Sequence, residues 1–299
     1  MKHLAARPMS AHQQGMDGFT PQHHWTMIGQ GASADVWAVD ESHVVKLFRA
    51  DVNDVPIALE YAAGLWAEAQ GIPVARPIRR ITVKGEPGEG KPGEGGAGAE
   101  RSGILFAHVD GPDMLSAILH RPFRMWPLIR RLARLHARIH RAAGSGDLPR
   151  QVDVLRHRIL RSRAGEAEIS AALALLDRLP QDSRLVHGDL HPANLLLSSR
   201  GAIAIDWAQA ASGVPAADAA RTELLLRFGG AGVGRVPPLA GAITAHWYRH
   251  CYARFSGLRR SELDIWRLPV AVAWQRGQLG AAEARLTRWI SGLMAQASI

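Results

Sequence analysis

Apolar and polar positions alternate in short runs near the amino terminus and recur at helical spacing through most of the remaining chain. Residues 27–48, MIGQGASADVWAVDESHVVKLF, predict a strand, a turn carrying Gly29 and Gly31, and a second strand over Asp35 to Val39. A turn at Asp40 to Ser42 and a third strand containing Lys46 complete this run. A helix is predicted from about Val55 to Gln70, stopped by Gly71 and Pro73, and a strand over Pro77 to Val83. Residues of about 84–101, KGEPGEGKPGEGGAGAER, offer no apolar surface to bury and read as a disordered insertion between two strands. SGILFAHVDG then supplies the next strand and a hinge at His108 to Gly111, where an adenine ring would meet backbone groups. From Pro112 onward the pattern is helical, as in Leu128, Leu132, Leu135 and Ile139, interrupted only by a hairpin in LLLSSRGAIAID. Residues 1–22 read as a mobile tail, 23–109 as a small antiparallel-sheet lobe with one helix, and 110–299 as a large, mainly helical lobe. The expected class is α+β.

The chemistry concentrates in residues 186–207, VHGDLHPANLLLSSRGAIAIDW. In phosphoryl transfer by kinases, an Asp takes the proton of the attacking hydroxyl and an Asn five residues later holds Mg²⁺. A second Asp on the next strand holds the metal against the phosphates. Asp189, Asn194 and Asp206 keep this order, and the hairpin would return Asp206 to the end where Asp189 lies. Asp or Asn beside a turn also serves as a local backbone cap, so it is the combination of spacing and apolar framing that points to catalysis. His187 reads as a packing and hydrogen-bonding residue.

Length and composition narrow the class. A chain of 299 residues with 47% apolar and 21% charged residues is an ordinary globular protein with room for a sizeable core. No apolar run suits a membrane span or a signal peptide, and one cysteine, Cys251, rules out an internal disulfide, so a cytoplasmic protein is expected. The net charge of +9 raises the question of nucleic acid or lipid. However, Arg130, Arg131, Arg134, Arg138 and Arg141 share a helix with an apolar stripe and read as its solvated back, and no nucleic-acid motif accompanies them. Neither a nucleic acid nor a membrane is expected as a partner. Of the 36 basic residues four are Lys, and Lys46 is the one inside an apolar strand. A compact ammonium there suits phosphate oxygens. Gly29 and Gly31 with Ser33 would let backbone N–H groups approach the same phosphates. Glu60, fourteen residues past Lys46 on the predicted helix, is the natural ion-pair partner; Glu68 shares that helix, and either could instead be a solvated surface acid.

With these elements placed, roughly residues 25–290 resemble the aminoglycoside phosphotransferase and choline kinase group of the protein-kinase-like superfamily, most specifically in VHGDLHPANLLL, AIDW and GVPAADAARTELLL. The resemblance is closest to an uncharacterised bacterial branch. It implies a bilobal kinase-like fold with a nucleotide, ATP or GTP, between the lobes. It also implies Asp189 as catalytic base, Asn194 and Asp206 as Mg²⁺ ligands, Lys46 with its partner Glu60 on the phosphates, and Asp218 as a brace for the catalytic loop. The chain departs from the pattern at Ala34, where a third loop glycine would stand, at Trp207 and Ala208 after the metal Asp, and at Ala107 and His108 in the hinge. Only eleven residues separate Asp206 from Asp218, too few for a peptide-docking activation segment, so a small-molecule alcohol is the expected acceptor.

Residues 207–299 hold five acids against eleven arginines, which disfavours a polycationic aminoglycoside. Trp247, Trp266, Trp274 and Trp289 read either as core or as a cage for a quaternary ammonium. A catalytically inactive nucleotide-binding module of the same fold is the alternative to an enzyme.

Overall fold

The structure, a computed structural model, describes residues 18–19, 25–31, 33–84, 100–229, 236–277 and 279–297. Two compact units emerge, one formed by residues 1–52 and 78–106 and the other by 53–77 and 107–299. The division differs from a boundary at 109/110 in that residues 53–77, with their helix, group with the second unit.

The first unit is a six-stranded sheet. Its strands are β1 (Gly18–Phe19), β2 (Thr26–Gln30), β3 (Ala34–Ala38), β4 (His43–Phe48), β5 (Pro77–Lys84) and β6 (Glu100–Ala107), in the order β1-β5-β6-β4-β3-β2. β2, β3 and β4 form an antiparallel meander, whereas β1, inside the stretch read as a tail, pairs in parallel with β5 through Gly18 and Phe19. Strand alternation turns Val45 and Leu47 of β4 into a core with Trp25, Trp37, Ile81, Val83 and Leu105. Lys46 therefore faces the other way, its ammonium 5.3 Å from the Phe48 ring centroid.

The expected insertion is shorter at both ends than 84–101, because β5 runs to Lys84 and β6 starts at Glu100; residues 85–99 lie outside the described residues. Arg101 is buried rather than disordered. Its guanidinium donates to Phe48 O at 2.9 Å, to Leu47 O at 3.2 Å and to the buried Asp35 carboxylate at 3.0 Å. This pair ties the start of β6 to the end of β4 and the start of β3. Removing Arg101 leaves the buried Asp35 carboxylate with only the longer 3.7 Å contact to the more exposed Arg49, so Arg101→Ala is expected to destabilise the protein by about 3 kcal/mol in urea unfolding. An unchanged unfolding midpoint would mean that the pair holds nothing together.

In the second unit, α1 (Asp54–Ala69) is capped by the Asn53 side chain, which accepts from Val55 N, and ends at Gly71 with φ +70°. Trp66 Nε1 donates to Ala143 O at 2.9 Å and Arg138 to Gly71 O at 2.5 Å, which fastens α1 to the helical body. That body contains α2 (Met114–His120), α3 (Met125–Ile139), α4 (Gln151–Leu160) and α5 (Glu166–Arg178). It continues with α6 (Pro215–Phe228), α7 (Pro238–Ser256), α8 (Arg260–Asp264), α9 (Arg267–Trp274) and α10 (Glu283–Ala297). α3 buries Leu128, Ile129, Leu132, Leu135 and Ile139 and packs on α7, which also packs on α6. Arg130 and Arg134 of α3 lie over the Phe255 ring, 5.5 and 4.9 Å from its centroid.

Two small sheets interrupt the helices. The predicted hairpin is β8 (Leu195–Ser198) with β9 (Gly201–Ala204), in antiparallel register from Leu195 opposite Ala204 to Ser198 opposite Gly201. The other, β7 (Arg184–Val186) with β10 (Ala211–Gly213), was not expected, since Ala-Ser-Gly has poor strand propensity and its partner is distant in sequence. In the expected hinge, Gly111 has φ +130° and a Cβ there would lie 2.0 Å from Leu197 O, so only glycine fits against β8.

Among the described residues no helix is long and apolar enough to cross a membrane.

Candidate active site

The segment between β7 and β8 is held from outside. Asp218, in the first turn of α6 and fully buried, accepts the N–H of His187 at 2.8 Å on Oδ2 and the N–H of Gly188 at 3.0 Å on Oδ1. Gly188 has φ +77°, and a Cβ there would lie 2.0 Å from Gln209 O, so the loop can pass here only as glycine. One turn further on α6, Thr222 donates to Leu190 O at 2.8 Å and Arg221 meets Asp189 Oδ1 at 3.2 Å. Residues i, i+3 and i+4 share a helix face, so one face of α6 grips the loop at three points.

Inside the loop, Asn194 Nδ2 donates to Asp189 O at 2.9 Å, and Ile205 N donates to Asn194 O at 3.1 Å. His187 is fully buried and accepts Asp189 N–H on Nδ1 at 3.3 Å, so its proton sits on Nε2, which donates to Ile205 O at 3.0 Å. Its ring packs on Trp207 with centroids 4.5 Å apart. Asp189, Asn194 and the segment leading into Asp206 are thereby joined by direct hydrogen bonds. Asp206 itself has φ +62°, the one positive φ among the described non-glycine residues, a left-handed backbone conformation found preferentially at functional sites.

Behind the brace lies a buried ladder that the sequence reading missed. Asp218 Oδ2 also lies 3.0 Å from His136 Nε2 and 3.1 Å from His140 Nε2, and their Nδ1 atoms meet Tyr248 OH at 2.7 Å and Tyr252 OH at 2.6 Å. Each pair is spaced i, i+4, one at the end of α3, where His140 is the cap, and one on α7, and such polar pairs on otherwise apolar helix faces were the available signal. His136, His140 and Asp218 offer three ligand atoms within 4.8 Å, a spacing that would suit a metal ion. Both imidazoles, however, aim at one carboxylate oxygen at hydrogen-bond distance, and both Asp218 oxygens also accept backbone N–H groups. The cluster is satisfied as neutral imidazoles with the proton on Nε2, accepting from the tyrosines on Nδ1.

The titration of His136 agrees with this assignment. Burial lowers His136 to about 4 and also lowers His187. Burial alone would raise the Asp218 carboxyl, but the two histidines hold it well below the usual range. An unfolded histidine titrates near ~6.5, so below that pH the unfolded chain binds protons that the folded protein refuses. Stability is therefore expected to fall as pH drops from about 6.5 towards 4, read as a lower urea midpoint at pH 5 than at pH 7.5. Equal midpoints would contradict the neutral-imidazole ladder.

A cavity of about 220 Å³ opens beside Asp189, lined by α4, α6, α9 and the loop. Arg158, Arg221 and Arg276 all reach it. The Arg221 guanidinium lies 4.9 Å from the Trp274 ring centroid, and Arg158 donates to Gln209 Oε1. The tryptophans considered as a cage do not gather. Trp266 is buried core, Trp247 packs edge-on against Trp126, and Trp289 lies against Arg227 and Arg267.

Of the remaining predicted residues, Gly29, Gly31, Ser33 and Lys46 lie in the first unit. Gly31 N donates to Ala34 O at 2.8 Å in a tight turn, and Arg49 clamps this turn, its N donating to Ser33 O and its guanidinium to Gly31 O, both at 2.9 Å. Glu60, in the second unit, is 2% exposed, whereas Glu68 is exposed, which separates the two acids of α1.

The chain belongs to the phosphotransferase enzyme family (APH), whose sequence profile matches residues 24–232. Among solved structures, it is similar to an aminoglycoside-3'-phosphotransferase of type VIII, with 15% identity over 84% of this chain and 93% of that one and a TM-score of 0.58. A thermostable mutant of aminoglycoside phosphotransferase APH(4)-Ia, in a ternary complex with AMP-PNP and hygromycin B, is 13% identical over 92% of each chain, with a TM-score of 0.58. A choline/ethanolamine kinase family protein from Mesorhizobium loti is 15% identical over 99% of this chain and 91% of that one, with a TM-score of 0.54. No curated protein matches the chain in sequence. The α+β architecture is thus the kinase-like fold of small-molecule phosphotransferases.

Proposed function

We propose that the protein transfers the γ-phosphate of ATP to a hydroxyl of a small molecule in the cytoplasm. The observation that carries this reading is the α6 grip on the loop, which holds Asp189 and Asn194 on a backbone hydrogen-bonded to the segment of Asp206. A structural relative bound to AMP-PNP and hygromycin B supports a nucleotide and a small molecule as substrates. Asp189 accepts the proton of the acceptor hydroxyl as its oxygen bonds to the γ-phosphorus. The bond from that phosphorus to the β-phosphate oxygen breaks, and its electron pair leaves with ADP. Arg221 orients the Asp189 carboxylate.

Asn194 and Asp206 fit a magnesium ion. They are hard oxygen donors, and Asn194 spends its Nδ2 on Asp189 O, which leaves Oδ1 as the ligand atom. When bound, the metal would neutralise charge on the transferred phosphoryl group. Lys46, with Gly29, Gly31 and Ser33 of the same unit, is the proposed phosphate-binding group. The eleven residues between Asp206 and Asp218 hold only β10 and the start of α6, which supports a small molecule rather than a peptide as acceptor.

The test is magnesium-dependent ATP consumption by the purified protein across a panel of small alcohols, with AMP-PNP binding measured in parallel. Turnover with at least one alcohol is expected. Binding without any turnover would favour an inactive nucleotide-binding module, and absence of nucleotide binding would overturn the reading.

A further inference from the structure

The cavity beside Asp189 has the wrong charge for a cationic acceptor. Three guanidiniums, from Arg158, Arg221 and Arg276, face two carboxylates, Asp189 and Asp218. Asp218 is consumed by two backbone N–H groups and two imidazoles, and Asp189 pairs with Arg221 alone among the described arginines. Among the described residues neither Arg158 nor Arg276 pairs with a carboxylate, and Arg221 Nε is buried without an acceptor. The mutual repulsion shows in the titration: burial first, then Arg221 and Arg276, bring Arg158 down to about 10.

The acids that could turn this region negative are spent elsewhere. Glu223 pairs with Arg267 and Arg227, Asp264 with Arg249 and Arg267, and Glu262 with Arg259. Glu283 accepts the N–H groups of Gly277 and Leu279. Trp274, the one tryptophan lining the cavity, already carries the Arg221 guanidinium and is not open to a quaternary ammonium.

We propose that the acceptor is a small anionic alcohol, whose carboxylate or phosphate group docks on Arg158 and Arg276 and so presents its hydroxyl to Asp189. This rests on the phosphotransferase reading and names its substrate class. Guanidiniums suit the task because their planar fork pairs with both oxygens of such an anion. They also offset the repulsion between the anion and the Asp189 carboxylate. Arg158 and Arg276 are specificity-determining residues in this scheme.

The experiment measures binding of glycerol 3-phosphate, glycerate, glycerol and choline to the full chain saturated with Mg·AMP-PNP, by calorimetry at constant ionic strength. At least one of the two anions is expected to bind about tenfold or more tightly than glycerol or choline, and the better anion tells phosphate from carboxylate. Arg158→Gln and Arg276→Gln, checked for folding by circular dichroism, should each weaken that anion by about tenfold and leave glycerol unaffected. Equal or tighter binding of glycerol or choline, no measurable binding of either anion, or full anion affinity in both variants would overturn the inference alone. Failure of the wild-type chain to bind Mg·AMP-PNP would overturn the phosphotransferase reading and this inference with it.

Discussion

Asp189→Asn is expected to lower turnover by about 10²–10⁴, the usual contribution of a positioned general base, while Mg·nucleotide binding is retained. The asparagine keeps the shape of the side chain and, through its amide oxygen, the 3.2 Å contact with Arg221, so the loss reports the missing proton acceptor. Asp189→Ala should be at least as inactive but is harder to read, because it leaves the Arg221 guanidinium without its carboxylate. Burial already lowers Arg221, and Asp189 is the largest influence opposing that. Steady-state rates with a responsive alcohol and AMP-PNP calorimetry on both variants decide the matter. Turnover within a few-fold of the parent in Asp189→Asn would remove Asp189 from the role of base.

A second large effect is expected at a residue whose carboxylate is spent on hydrogen bonds within the protein. Asp218→Asn turns one of two oxygens that together accept four hydrogen bonds into an NH2, which then faces the N–H of Gly188 if it stands at Oδ1, or those of His187, His136 and His140 if it stands at Oδ2. Buried polar groups left facing one another unpaired cost about 3 kcal/mol or more, which for a chain of this size lowers Tm by about 5 °C or more. Turnover should fall as well, since Asp218 holds the two residues immediately before Asp189. Thr222→Val makes the comparison, because it removes the 2.8 Å bond to Leu190 O together with the hydroxyl's contact to Tyr248, leaves the carboxylate in place, and should cost about 1–2 kcal/mol. Thermal unfolding by circular dichroism reads both. A wild-type Tm in Asp218→Asn would mean that the brace is dispensable.

Local pattern carried far in this protein. Alternation in VVKLF was enough to separate Val45 and Leu47 from Lys46, because successive strand residues point to opposite faces. Gly71 marked the end of α1 because a left-handed residue there costs glycine nothing. The five-residue step from Asp189 to Asn194 was legible for the same reason, since a short loop has few ways to fold and here its own side chain closes it. By contrast Arg101, at the end of a glycine-rich run, looked like part of an insertion, and only its three buried acceptors on other strands reveal a structural residue. β10 escaped because Ala-Ser-Gly has no preference of its own and becomes a strand by pairing with β7.

The sequence by itself determined the alternation of strands and helices, the motif that orders Asp189, Asn194 and Asp206, and an excess of arginine over acid in the last third of the chain. It could do so because propensity, hydrophobic period and short spacing act over a few residues. Only the tertiary structure decided that His136 and His140 meet Asp218 from 82 and 78 residues away, that Tyr248 and Tyr252 complete the ladder, and that Arg158, Arg221 and Arg276 share one cavity. These groups lie on separate helices, and their meeting is set by how α3, α4, α6, α7 and α9 pack their apolar faces. That packing depends on the whole core and leaves no trace at the spacing of any one motif.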